Sequence, residues 1–154
     1  MEPFFKWCDA TAIGQGIRGT TWEFPLIETI HILALAVLLG SILMIDLRLL
    51  GVLHRIPVSK MQRELGTYIN VSLVIILITG VLLFLSEASK AYGNAAFLPK
   101  ITLLALAMIY HYTVHRKAGL SESPSGPAWG KVAALISIGL WFGVGVAGRA
   151  IGFV

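Results

Sequence analysis

The chain has 154 residues, 56% hydrophobic and 13% charged, with a formal net charge of +4, a pI of about 9.5 and a mean hydropathy of +0.82. Soluble domains run at about 45–50% apolar and roughly 25% charged, and a body this small has too much surface for its volume to hide the excess. A water-soluble domain is therefore excluded. So is a nucleic-acid binder, because the twelve Lys and Arg sit mostly between apolar runs, where anionic lipid headgroups are their natural partner.

Residues 1–20 mix Phe4, Phe5, Trp7, Ile13 and Ile17 with Lys6, Asp9, Gln15 and Arg18. Aromatics interspersed with charges predict a short amphipathic helix lying on the membrane surface. The single cysteine, Cys8, excludes an internal disulfide. Glu2 and Pro3 stand where a secretory signal carries basic residues, so the first long apolar run is expected to stay in the mature protein.

Four apolar runs follow, over roughly 24–53, 68–85, 98–115 and 132–154. Each approaches or exceeds the ~20 residues that cross a bilayer as a helix. Pro25 and Pro99 fall in the first turn of the first and third runs, where proline is tolerated. The connection at 118–130 carries Ser121, Ser123, Pro124, Ser125, Gly126 and Pro127, which is turn chemistry. The expected fold is all-α: an integral membrane four-helix bundle, a single domain with a short N-terminal interfacial helix.

Orientation follows from Lys and Arg. One side holds Arg48, Arg55, Lys60, Arg63, Arg116, Lys117 and Lys131, and the other Lys6, Arg18, Lys90, Lys100 and Arg149. The richer side is expected in the cytoplasm, which puts both termini on the periplasmic side of a bacterial inner membrane.

An ionisable side chain within a span is costly and marks function by default. The first span holds Glu28, His31, Asp46 and Arg48, the third Lys100, His111 and His115, and the fourth Arg149. At about 100° per residue, Glu28 and Asp46 each lie about 60° from His31. Lys100, Leu104, Ala107, His111 and His115 fall within an arc of about 80° on the third span. Each helix thus presents a polar stripe that should face the bundle interior. At 1.5 Å per residue His31 lies about 10 Å below the outer boundary and His111 about 16–20 Å, so the two rings are expected to oppose each other.

Two facing histidines suit a b-type haem, whose iron takes axial imidazoles and whose flat macrocycle fits between bundle helices. His31 and His111 are the expected ligands, Lys100 and Arg149 the cations for the propionates, and Glu28 the acceptor that orients the His31 imidazole. His54 and His115 could serve a second, inner site. The fourth-span glycines fit small-xxx-small packing at Gly139/Gly143 and Gly148/Gly152. Asp46 could pair with Arg48, Arg116 or His115, and Arg149 with Glu28. Met44 and Met108 are soft enough for copper, although lone methionines in apolar spans usually just pack.

The stretch Glu28-Thr29-Ile30-His31-Ile32-Leu33, then Gly40-Ser41 and Asp46-Leu47-Arg48-Leu49-Leu50-Gly51, resembles an uncharacterised bacterial family of small four-span membrane proteins. Tyr110-His111 and Gly148-Arg149-Ala150-Ile151-Gly152-Phe153 add to that resemblance. His31 followed by Gly40-Ser41, with Lys100 and Tyr110-His111, is also similar to the HemJ-type membrane protoporphyrinogen oxidases. The first-span pattern further resembles the copper-resistance D membrane family. The oxidase resemblance implies haem b, with His31 as first-span ligand and His111 as the third-span candidate. The expected function is a cytochrome-like protein for electron transfer or redox chemistry, a haem-dependent oxidoreductase among the options. Its partner would be a quinol or a redox protein, and self-association is a further option. The competing readings are a copper- or proton-handling permease and a structural subunit of a membrane complex.

Overall fold

A computed structural model describes residues 2–53, 56–120 and 126–150. The described residues form helices α1 (Glu2–Asp9), α2 (Ala12–Gly19), α3 (Glu23–Leu49), α4 (Val58–Ser86), α5 (Ala88–Gly93), α6 (Phe97–Tyr110), α7 (Arg116–Leu120) and α8 (Gly126–Ala150), with a π-turn at His111–His115 joining α6 to α7. Among the described residues four helical stretches are long and apolar enough to cross a membrane: Glu23–Leu49, Val58–Ser86, Phe97–Leu120 and Ala128–Ala150. We call these spans one to four. The end beside α1, α2 and α5 is the upper end.

Span one packs against spans two and four, and span three packs against span four along α6 and against span two through α7. Spans one and three therefore lie diagonally and run in the same direction. Leu38, Ile42 and Ile45 from α3 meet Ile69, Leu73 and Ile76 from α4 and Trp141 and Val144 from α8 in a shared core. The outward faces stay apolar: Leu33, Val74, Ile109 and Phe142 are all exposed, as expected where lipid is the solvent.

The second span begins ten residues earlier than the expected position 68. Lys60, Arg63 and Glu64 read as loop, yet the turns they occupy are amphipathic. Met61 is buried, while Lys60 and Glu64 pair at 3.9 Å on the solvated side. Pro57 fixes the start as the residue before α4. Span one ends at Gly51, whose φ of 89° is the left-handed conformation that glycine takes without strain. The Val52 amide bonds to the Leu47 carbonyl and the Gly51 amide to the Arg48 carbonyl, which closes the helix in a Schellman-type cap. Pro25 and Pro99 occupy first turns, as the sequence implies.

The N-terminal segment is two short helices. Thr11 separates them: its hydroxyl accepts from the Gly14 amide at 3.2 Å and donates to the Cys8 carbonyl at 2.7 Å. Cys8, Gly14 and Ile17 are buried against the bundle. A Cβ at Gly14 would collide with the Leu85 carbonyl, so glycine is what lets α2 lie on the end of α4. Phe5 packs on Phe84 and Tyr92 with ring centroids 5.7 and 5.1 Å away. Trp7 and Trp22 project outward, Trp22 with 82% of its surface exposed, in the manner of aromatics at a membrane interface.

The expected glycine packing divides. Gly143 faces Leu103 of α6 and Gly148 faces Lys100, whereas nothing approaches Gly139. Gly152 and the end of the fourth run lie outside the described residues.

Candidate functional site: two polar layers in the bundle

The ionisable side chains fall into two layers separated by the apolar core. Spans one and three are parallel, and the spacing from His31 to Asp46 equals that from Lys100 to His115, fifteen residues in each case. At 1.5 Å per residue this is about 22 Å. The register therefore sets His31 level with Lys100 and Asp46 level with His115.

The upper layer centres on His31, which is half-buried. Its Nδ1 lies 2.7 Å from the Thr79 hydroxyl of α4. The same hydroxyl lies 2.7 Å from the Ile75 carbonyl, one turn back. When its proton goes to that carbonyl the hydroxyl accepts from the imidazole, an arrangement that puts the proton on Nδ1 and leaves a lone pair on Nε2. Lys100 of α6 lies within electrostatic reach of the ring. The imidazole edge passes 3.5 Å from where a Gly80 side chain would begin, and the Lys100 stem passes 3.7 Å from that point on Gly148. All four spans thus meet at this level. Glu28 and Arg149 are exposed at the same end, so the side chain that holds the imidazole is Thr79.

The lower layer is more deeply enclosed. His115 and Asp46 are 0% and 1% exposed, and His115 Nε2 donates to Asp46 Oδ1 at 2.7 Å. Ser137 of α8 donates to the other carboxyl oxygen at 3.0 Å. Of the three expected partners for Asp46, His115 is the one that the structure supplies. The His111 ring lies beside it, with centroids 5.1 Å apart and planes tilted by 31°. The π-turn positions both rings: the Arg116 amide bonds to the His111 carbonyl five residues back, widening the helix at these histidines. Nδ1 of His111 and Nδ1 of His115 are both buried and carry no hydrogen bond.

His111 also lines a cleft of about 390 Å³ between α4 and the lower part of span three. Gln62, Arg63, Asn70, Tyr112 and Arg116 share its walls. The Tyr112 hydroxyl donates to Asn70 Oδ1 at 2.7 Å.

The structure therefore does not bring His31 and His111 together. His111 is one turn above His115, which leaves about 16 Å of helix rise between its level and that of His31. His54 lies outside the described residues. Among the described residues no three His, Cys, Asp or Glu side chains cluster as ligands for a bare metal ion. Met44 is exposed on the outer face of α3, the position of a packing residue.

Thr79, Ser137 and Gln62 were missed by the sequence reading. A threonine or serine in an apolar run reads as neutral, and Gln62 sits in turns expected to be loop. The equal fifteen-residue spacing was the available signal for the two layers.

No curated protein and no solved structure matches the chain. One family model does match, over residues 4–154, and by that match the chain belongs to a family of unknown function, DUF6644.

Proposed function

We propose that the chain is a membrane haem b-binding protein with a redox role, and that His31 would hold the iron. One observation carries this reading: Thr79 hydrogen-bonds His31 Nδ1 at 2.7 Å while the Ile75 carbonyl stands ready for the hydroxyl proton, an arrangement in which Nε2 is left to ligate. A hydrogen bond on the distal ring nitrogen is how proteins orient and strengthen a metal-ligating histidine. The donor set fits haem better than a bare cation. A porphyrin brings four nitrogens of its own, so one imidazole suffices where a bare ion needs three or four side chains. Similarity of the His31, Gly40-Ser41, Lys100 and Tyr110-His111 positions to HemJ-type oxidases, and of the first-span pattern to copper-resistance D proteins, points the same way.

When bound, haem b supplies one-electron chemistry. The rest falls to the chain. Thr79 fixes the imidazole, and Lys100 and Arg149 provide positive charge for the propionates at the upper end. Leu38, Ile42 and Ile76 belong to the apolar core below this level. His111, a layer lower, is free for another task. The electron donor would be a membrane quinol and the acceptor a partner at the upper, periplasmic end.

The test is an absorbance spectrum. Protein expressed with haem supplementation and purified in detergent is expected to show a Soret band that shifts on reduction, with about one haem per chain. A preparation without that band, after supplementation and after reconstitution in vitro, removes the proposal.

A second reading, proton handling, rests on the lower layer. The Asp46–His115 pair is buried, His111 stacks beside it, and His111 opens onto the cleft. Chains of carboxylate and imidazole within spans serve as proton relays. In liposomes holding a pH-sensitive dye, an imposed potential is expected to drive proton uptake that His111→Ala abolishes. Equal uptake in empty and protein-containing liposomes would end this reading.

A further inference from the structure

We infer that the cleft between α4 and the lower part of span three is a phosphate-binding site. The site does not depend on the haem proposal, since it lies in the other layer and on other residues.

The lining sets the charge of the ligand. Arg63 from α4 and Arg116 from α7 enter the cleft from opposite walls, and no carboxylate is among its lining residues. Two arginines lining one cleft can recognise a phosphate through paired N–H donors. Gln62 and His111, each 3% exposed, close the inner wall of the cleft. Gly119 holds the Gln62 amide in place, because even a Cβ there would run into it. The far end is already satisfied by the Tyr112–Asn70 bond.

Dimensions and depth agree. The volume of about 390 Å³ lies within the ~300–1,000 Å³ of small-molecule sites. Gln62 and Arg63 sit in the second turn of α4, and Arg116 and Leu120 close span three, so the cationic mouth lies at headgroup level. Asn70 is eight residues deeper than Gln62, about 12 Å along the helix. A phosphate group has the required charge, whether it belongs to the headgroup of an anionic phospholipid or to a free glycerol phosphate.

The test uses the whole protein in nanodiscs of phosphatidylcholine, with three probes: phosphatidylglycerol, sn-glycerol 3-phosphate and inorganic phosphate. Native mass spectrometry and thermal unfolding are read together. Retention of one phosphatidylglycerol per chain with a raised Tm identifies the lipid headgroup. The same response to glycerol 3-phosphate alone identifies the soluble ester. The Arg63→Gln/Arg116→Gln variant should weaken either binding at least tenfold. Both arginines are exposed, so its Tm without added probe should match that of the parent. Equal retention of phosphatidylcholine and phosphatidylglycerol, with no response to either soluble probe, overturns the inference. So does full binding by the double-arginine variant.

Discussion

Asp46→Ala is expected to lower the unfolding free energy by about 3–5 kcal/mol, the loss typical when one partner of a buried charged or hydrogen-bonded pair is removed. The carboxylate ties three spans together. It accepts from His115 of span three at 2.7 Å and from Ser137 of span four at 3.0 Å, all within a space closed to water. Alanine leaves the His115 Nε2–H and the Ser137 hydroxyl buried without an acceptor, and lipid offers neither of them a substitute. Asp46→Asn keeps an amide oxygen for one of the two donors, so its loss should be smaller by a factor of about two. His115→Ala should cost a similar amount to Asp46→Ala, and the double variant should fall well short of the sum, because both substitutions break the same contact. Unfolding in mixed detergent micelles, followed by circular dichroism, measures all four. Strict additivity of the two single changes would mean that the pair does not hold the bundle together.

The four spans were legible because each is a long apolar run, and a backbone in lipid has few alternatives to a helix. The polar turns of α4 were not. Lys60, Arg63 and Glu64 lower the local hydropathy, and hydropathy does not distinguish a loop from a helix that continues into the headgroups. The stripes of His31 and Asp46 on span one and of Lys100, His111 and His115 on span three were also legible from a 100° periodicity. Their vertical matching was harder. Depth counted from the span ends placed His31 and His111 opposite each other, but helix ends are the least certain part of any such count. The parallel run of spans one and three, with equal fifteen-residue spacings, is independent of the ends and gives the observed register. The π-turn left no trace in the pattern, since a single wide turn after His111 shifts the face of only a few residues. Thr79 shows the same difficulty at one side chain. It bonds back to the Ile75 carbonyl as threonine commonly does in a helix, and only the fold reveals that its oxygen also receives His31.

His31→Ala and His111→Ala should separate the two layers in one experiment. With haem supplied during expression, His31→Ala is expected to lose the Soret band almost completely, since Nε2 of this residue is the lone pair presented in the upper layer. His111→Ala should retain it at close to parental intensity, because its ring belongs to the Asp46–His115 layer about 16 Å lower. Thr79→Val removes the hydroxyl that fixes the imidazole but preserves its shape. Loss of such an orienting partner typically weakens metal affinity 10–100-fold, so this variant should bind haem only at raised concentration. Lys100→Gln should weaken binding less, as removal of a propionate contact rather than of the ligand. If His111→Ala loses the band together with His31→Ala, while both variants keep their helical circular dichroism, an iron shared between the two histidines is restored and the two-layer assignment fails. If His31→Ala keeps the band, the ligand is elsewhere, and the Thr79–His31 hydrogen bond is a packing arrangement of spans one and two alone.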